Sequence, residues 1–162
     1  MSLNSTAGDA AAESYPSLAE AELYWTNHGS PVEWTEATSE ELEAALRYAT
    51  QYLDQNFTWY SIIYSTTQAL GWPRSSYYDS ENRSVGGDGV IPPKIKDATC
   101  ELALHYLKED FTSADNENVL SEKVGSSSVT YRGSSKSFSF VKIMLKDYGL
   151  PDKSGNPTLY RG

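Results

Sequence analysis

Apolar side chains recur at helical spacing in three stretches of the chain. The first stripe consists of Leu42, Ala45, Leu46, Ala49 and Leu53. The second, which follows Ile91-Pro92-Pro93, consists of Ile95, Ala98, Thr99, Leu102, Ala103 and Tyr106. The third consists of Phe138, Val141, Met144, Leu145 and Tyr148. Spacing of i, i+3, i+4 and i+7 indicates helices that bury one face, so we expect helices over about 39–56, 93–110 and 138–148.

Two capping boxes mark helix starts. In Ser17-Leu-Ala-Glu20 the Ser17 hydroxyl is expected to accept from a first-turn amide, while Glu20 reaches back. This predicts a helix from Ala19 to about His28, which Gly29 ends in a left-handed conformation. Thr38-Ser-Glu-Glu41 repeats the motif directly before the first apolar stripe, where it should begin the clearest helix of the chain.

The middle of the chain has weaker periodicity. Residues 57–70 are aromatic and β-branched, and we predict a short helix over 61–70, with a strand as the alternative. Gly71-Trp72-Pro73-Arg74 ends that element. Residues 75–89 are polar and close with Gly86-Gly-Asp-Gly89, which predicts a long open loop.

The remaining segments are short or lack periodicity. Over residues 119–133, apolar and polar side chains alternate on both sides of a Gly-Ser break, which predicts a β-hairpin. Residues 1–14 and 150–162 carry no stripe and are expected to be extended arms, the first of them flexible. Together the patterns predict a mainly α fold. We expect one small helical bundle over 15–149, with a short β-hairpin and two terminal arms.

Charge is unevenly distributed along the 162 residues. The net charge is −9, and residues 1–56 alone hold ten carboxylates against one base, Arg47. Residues 123–162 hold seven bases against two carboxylates. The acidic and basic parts are expected either to be solvated faces or to pair within or between copies. Because nucleic-acid affinity depends on neutralising phosphates, an acidic chain is expected to bind DNA poorly.

The patterns typical of enzymes and metal sites are not found in this sequence. His28 and His105 lie far apart, the lone Cys100 belongs to an apolar helix face, and Gly86–Gly89 has neither the lysine nor the strand–helix context of a phosphate loop. We therefore expect no enzymatic activity, no cofactor and no metal. No apolar run reaches the roughly 20 residues of a spanning helix, so no membrane association is expected.

Several short motifs in a fixed order resemble one known family. These are Trp34, the helix 46–53, Gln68-Ala-Leu-Gly-Trp-Pro-Arg74, Ile91-Pro92 with its helix, Ser121-Glu-Lys-Val-Gly125 and Tyr131. Over about 15–150 they resemble the head–tail adaptor (head completion) family of tailed phages, which is also labelled DnaT-like single-stranded DNA-binding. The loop 75–89 and the terminal extensions depart from that resemblance.

The resemblance implies a structural virion protein. Such a subunit forms a homo-oligomeric ring, typically of twelve copies, beneath the portal protein. The ring joins head to tail, contacts the next neck or tail-completion protein, and lets DNA pass without specific binding. The subunit would be made in the host cytoplasm and located in the virion neck. The alternative is a replication accessory protein that binds single-stranded DNA, because the segment 57–78 is rich in aromatic side chains on which bases stack.

Twelve tyrosines and four tryptophans exceed what one small core needs, and aromatic and arginine side chains dominate protein interfaces. The predicted interface residues are Trp72, Pro73, Arg74, Tyr77, Tyr78, Tyr131, Arg132, Leu159, Tyr160 and Arg161. Trp72 has the alternative role of a core residue. Arg74 is expected to point outward after a rigid proline. Leu159, Tyr160 and Arg161 are expected to anchor an extended arm in a neighbouring subunit.

Overall fold

The computed structural model describes residues 2–108 and 139–151. The helices in these residues are α1 (Leu18–Asn27), α2 (Val32–Thr35), α3 (Ser39–Asn56), α4 (Pro93–Lys108) and α5 (Ser139–Met144). The strands are β1 (Phe57–Trp59), β2 (Tyr77–Tyr78), β3 (Ser84–Val85) and β4 (Gly149–Pro151). The fold is mainly α, as predicted.

Both predicted capping boxes are present. The Ser17 hydroxyl accepts from the Glu20 amide at 3.1 Å, and the Glu20 carboxylate accepts from the Ser17 amide at 2.8 Å. Thr38 and Glu41 make the same pair of bonds at 3.3 and 2.8 Å. Because each box satisfies two amides that have no partner inside the helix, it fixes where α1 and α3 begin. Gly29 follows α1 with a φ of 99°, as the sequence indicates.

The core lies between α3 and α4. The apolar stripe predicted on α3 is buried along its whole length, and so are Ile95, Ala98, Thr99, Leu102 and Ala103 on α4. Helices α1 and α2 pack on α4 and bury Trp25 and Trp34 against it. The short helix α2 lies between α1 and α3, in a stretch for which the apolar spacing predicts no helix. Hydrophobic burial between these four helices is the main contribution to stability.

The predicted helix over 61–70 is wrong. The chain leaves α3 directly as β1, which pairs antiparallel with β4 in the register Phe57↔Pro151 and Trp59↔Gly149. Phe57 and Trp59 face the core while Thr58 is exposed, which is the alternation of a half-buried strand. Residues 61–70 are turns, and Ile63 makes an isolated antiparallel bridge to Arg74. The strand alternative therefore holds for 57–59 and not for 61–70.

Residues 75–89 contain a small hairpin where an open loop was expected. Strands β2 and β3 pair antiparallel, with Tyr77 opposite Val85. The Asp79 carboxylate organises the connection, because it accepts from the amides of Glu81 and Arg83, both at 2.9 Å. Such bonds from an aspartate to the following amides favour tight turns. The hairpin predicted over 119–133 lies outside the described residues.

The N-terminal segment is packed on the core and differs from the flexible arm expected there. Tyr15 and Ser14 are fully buried. The Asn4 carbonyl accepts from the Glu13 amide at 2.7 Å, and the Asp9 carbonyl accepts from the Ala69 amide at 3.1 Å. The first bond closes residues 4–13 into a loop, and the second joins this loop to the turns after β1. The C-terminal arm beyond Pro151 lies outside the described residues.

The last helix is shorter than its apolar stripe predicts. Helix α5 ends at Met144, and turns lead into β4 at Gly149. Val141 and Leu145 are nevertheless fully buried, as their spacing requires. A β-carbon at Gly149 would lie 2.8 Å from the Thr58 carbonyl oxygen, so the close approach of β4 to β1 depends on glycine. Within 2–108 and 139–151, no helix combines the length and apolar character needed to cross a membrane.

Candidate functional site

The Gly71–Arg74 turn lies at the centre of the non-helical part of the structure. Gly71 approaches its neighbours so closely that a β-carbon there would lie 2.6 Å from the Asp54 Oδ1 atom and from two atoms of the Trp59 ring. Trp72 and Pro73 are fully buried. The turn is therefore a structural junction, and glycine is required at its first position.

The Asp54 carboxylate holds this junction together. Its Oδ1 atom accepts from the Trp59 indole at 3.0 Å and from the Tyr15 hydroxyl, and its Oδ2 atom accepts from the Gly71 amide at 2.9 Å. Burial, together with the nearby Asp54 charge, raises the pKa of Tyr15 well above its usual value. Asp54 thus joins α3, β1, the N-terminal segment and the Gly71–Arg74 turn through charge-assisted bonds.

Arg74 is turned toward backbone carbonyls. Its Nε, Nη1 and Nη2 atoms donate to the carbonyls of Tyr60, Gly71 and Ser61 at 2.8, 2.9 and 2.7 Å. The side chain is half-buried and holds the two ends of the irregular segment 60–71 together. The sequence predicts that Arg74 points outward, but in the structure its guanidinium donates to backbone carbonyls of its own chain. Trp72 has the core position that was its alternative, and Pro73 is also in the core.

Three tyrosines, Tyr60, Tyr77 and Tyr148, make ring contacts and hydrogen bonds near the Gly71–Arg74 turn. The Tyr60 and Tyr77 rings meet edge to face with centroids 6.0 Å apart, and Tyr148 meets Trp72 in the same way at 6.1 Å. The Tyr60 amide donates to the Tyr148 carbonyl at 2.9 Å, and the Tyr77 hydroxyl donates to the Asp147 carbonyl at 2.6 Å. Burial raises the pKa of Tyr77 and Tyr148 above the usual value for tyrosine.

Two further tyrosines near this cluster are exposed. Tyr64 has 54% of its surface exposed and Tyr78 has 71%. The Tyr64 amide donates to the Pro73 carbonyl, and its ring lies beside Gly89, where a β-carbon would be 3.4 Å away. We call Tyr60, Tyr64, Tyr77, Tyr78 and Tyr148 the tyrosine surface. Its exposed rings are those of Tyr64 and Tyr78. Because successive side chains of a strand alternate, the Tyr78 ring lies on the opposite face of β2 from the Tyr77 ring.

Charges around the tyrosine surface are nearly balanced. Arg83 is exposed and lies 2.9 Å from Asp79 and 3.0 Å from Glu81. Lys142 and Lys146 on and after α5 are exposed as well. This surface is therefore far less acidic than residues 1–56.

The structure places only part of the predicted interface together. Tyr77 and Tyr78 belong to the tyrosine surface, whereas Trp72, Pro73 and Arg74 support it from beneath. Tyr131, Arg132, Leu159, Tyr160 and Arg161 lie outside the described residues. The sequence pointed to Tyr60 and Tyr64 only as part of the aromatic segment 57–78. It did not point to Tyr148, which is distant along the chain and is brought beside Tyr60 by the β1–β4 pairing. Among residues 2–108 and 139–151, no group of three or more His, Cys, Asp or Glu side chains could hold a metal ion.

Comparison with known families and proteins gives one match. The model of the family described as “Putative DnaT-like ssDNA binding protein” matches residues 1–162. No curated protein and no solved structure matches the chain.

Proposed function

The chain belongs to the DnaT-like ssDNA-binding protein family, and from this premise we propose that it binds single-stranded DNA, with bases stacked on the tyrosine surface. The observation that carries the proposal is the exposure of two aromatic rings, Tyr64 on the turns after β1 and Tyr78 on the β2–β3 hairpin. Every base has a flat π-face, so aromatic rings bind single strands with little sequence preference.

The net charge of −9 limits how such binding can work. Residues 1–56 would repel phosphates, so affinity must come from stacking, which contributes about 1–3 kcal/mol per base. The exposed cations of the β2–β3 hairpin, of α5 and of the turn after α5 are Arg83, Lys142 and Lys146. If all three neutralise phosphates, the logarithm of the affinity should fall with the logarithm of salt at a slope of about −2. A steeper slope would mean that basic residues elsewhere in the chain also contact phosphates.

Anisotropy titrations with a labelled thymidine oligonucleotide test this proposal. Tyr64→Ala and Tyr78→Ala should each weaken binding by roughly 5- to 150-fold, the effect of losing one stacked base. Tyr48→Ala is the matched control, because Tyr48 is an exposed tyrosine on α3 that packs on Tyr106 of α4. A duplex of the same length should bind more weakly than the single strand. Absence of binding at low salt, or equal binding by all three variants, would contradict the proposal.

A second candidate is the head–tail connector subunit, and the family match favours single-stranded DNA binding over it. The acidic charge supports the connector, because a negative channel wall lets DNA slide without adhering. Exposed apolar side chains at Ile62 (71%), Ile63 (41%) and Leu150 (58%) also suit contact with another protein. In this role about twelve copies would form a ring under the portal in the virion neck and contact the next tail component.

Native mass spectrometry separates the two candidates. A connector should form a closed ring, alone or when mixed with portal protein, and should show no retention of single-stranded oligonucleotides. A single-stranded DNA-binding protein should instead add mass in steps of one oligonucleotide. Ring formation and oligonucleotide binding are measured separately, so either candidate can fail without the other.

A further inference from the structure

A groove between α1, α2 and the start of α3 is separate from the tyrosine surface. It has a volume of about 410 Å³ and is lined by Glu22, Trp25, Thr26, Ser30, Trp34, Thr35, Ala37, Ser39 and Leu42. That volume lies in the range of sites that take small molecules or short peptide segments. Its floor is aromatic and its rim is polar.

The two tryptophans of this groove have unused hydrogen-bond donors. Trp25 and Trp34 are each only 4% exposed, and their ring centroids are 6.0 Å apart. Neither indole N–H has an acceptor among residues 2–108 and 139–151. Both indole nitrogens are also shielded from solvent, so the two tryptophans offer ring surface, and not hydrogen bonds, to an occupant of the groove. Trp72 is also without such an acceptor, but it lies in the core beneath the tyrosine surface.

The surroundings of the groove are acidic. Residues 18–46 contain seven carboxylates and no lysine or arginine. Glu20 is already paired with Lys96 at 2.6 Å. Glu22, which lines the groove, has no cationic partner in the part of the chain that the structure describes. An occupant with one positive charge therefore matches this rim better than a neutral or anionic one.

We propose that the groove binds residues 157–161 of a second copy of the chain. This segment, Pro-Thr-Leu-Tyr-Arg, has two large apolar side chains for the tryptophan floor and a cation for Glu22. Pro157 also restricts the backbone of the segment, which lowers the entropy lost on docking. The inference concerns self-association and is independent of single-stranded DNA binding.

Disulfide trapping between two variants, each with one added cysteine, tests which segment occupies the groove. Thr35→Cys places a thiol in the groove, and Thr158→Cys places one in the segment while Leu159, Tyr160 and Arg161 are kept. The native Cys100 is buried and does not compete. After oxidation of a mixture, the expected product is a heterodimer joined between positions 35 and 158. Ser80→Cys, at an exposed position of the β2–β3 hairpin, replaces Thr35→Cys as the control and should give only the random level of heterodimer.

Charge exchange then tests the contact with Glu22. Glu22→Lys should lower the yield of heterodimer roughly two- to fivefold, as expected for loss of an exposed ion pair. Adding Arg161→Glu to the partner should restore it. The proposal is overturned by trapping no better than the Ser80→Cys control, or by insensitivity to Glu22→Lys. It is also overturned if a chain carrying both cysteines forms only an internal disulfide, because the segment then docks within its own copy.

Discussion

Replacement of Arg74 by alanine should destabilise the isolated subunit. The change removes three bonds from one guanidinium to the carbonyls of Tyr60, Ser61 and Gly71, all between 2.7 and 2.9 Å. A hydrogen bond from a charged group contributes about 1.5–3 kcal/mol when measured alone. The three bonds share one side chain that is only half-buried, and water can replace part of them. We therefore expect the free energy of unfolding to fall by about 2–4 kcal/mol in total.

Urea unfolding followed by tryptophan fluorescence measures this loss, because Trp59 and Trp72 lie at the same junction. A loss of about 2–4 kcal/mol corresponds to a fall in Tm of roughly 4–16 °C. Arg83→Ala is the matched control: it also removes an arginine, but one whose side chain is 66% exposed and, within the described residues, is ion-paired with Asp79 and Glu81 alone. Its effect should stay below about 1 kcal/mol. Arg74→Lys should give an intermediate loss, since an ammonium cannot span three carbonyls.

Two results would refute this reasoning about Arg74. The first is an unfolding free energy for Arg74→Ala that equals the wild-type value. The second is equal destabilisation by Arg74→Ala and Arg83→Ala, which would mean that the carbonyl contacts add nothing beyond a surface charge. An unchanged monomer with impaired assembly would instead support the outward interface anchor expected from the sequence.

Three further predictions concern the same architecture. Gly71→Ala should lower the unfolding free energy by about 1–3 kcal/mol, because its β-carbon would overlap Asp54 and Trp59, and a stable variant would show that the turn can shift. Tyr15→Phe should cost about 1.5–3 kcal/mol in urea unfolding through loss of the bond to Asp54, whereas a flexible N-terminal arm would give no change. Thr38→Ala should cost about 1 kcal/mol at neutral pH. Bonds from the Thr38 amide and hydroxyl lower the pKa of Glu41 below 4.5, so the contribution of the Glu41 carboxylate is present above pH 4.5 and is lost as the pH falls through the lower folded value. In the same capping box, the difference between Glu41→Ala and wild type should therefore shrink in acid, and a constant difference would contradict a role for the ionised carboxylate.

The helical part of the fold follows from local pattern. Each of α1 and α3 begins at a capping box, and the α3 and α4 stripes face each other in the core. The third stripe predicted the buried positions Val141 and Leu145 correctly but overestimated the length of α5. In these stretches the hydrogen bonds and the buried face are set by residues three or four apart, so periodicity alone is sufficient.

The sequence by itself therefore determined the mainly α class, the starts of two helices, the buried faces of α3 and α4 and the strong acidity of residues 1–56. The tertiary structure decided the conformation of residues 57–78 and the packing of the N-terminal segment on the core. There the partners are distant in sequence: Asp54 with Tyr15, Arg74 with the Tyr60 carbonyl, and β1 with β4. An aromatic, β-branched segment can form a helix or a strand with similar local preference, so long-range pairing makes the choice. In the tyrosine surface, the contact of Tyr60 with Tyr148 is a consequence of the β1–β4 pairing.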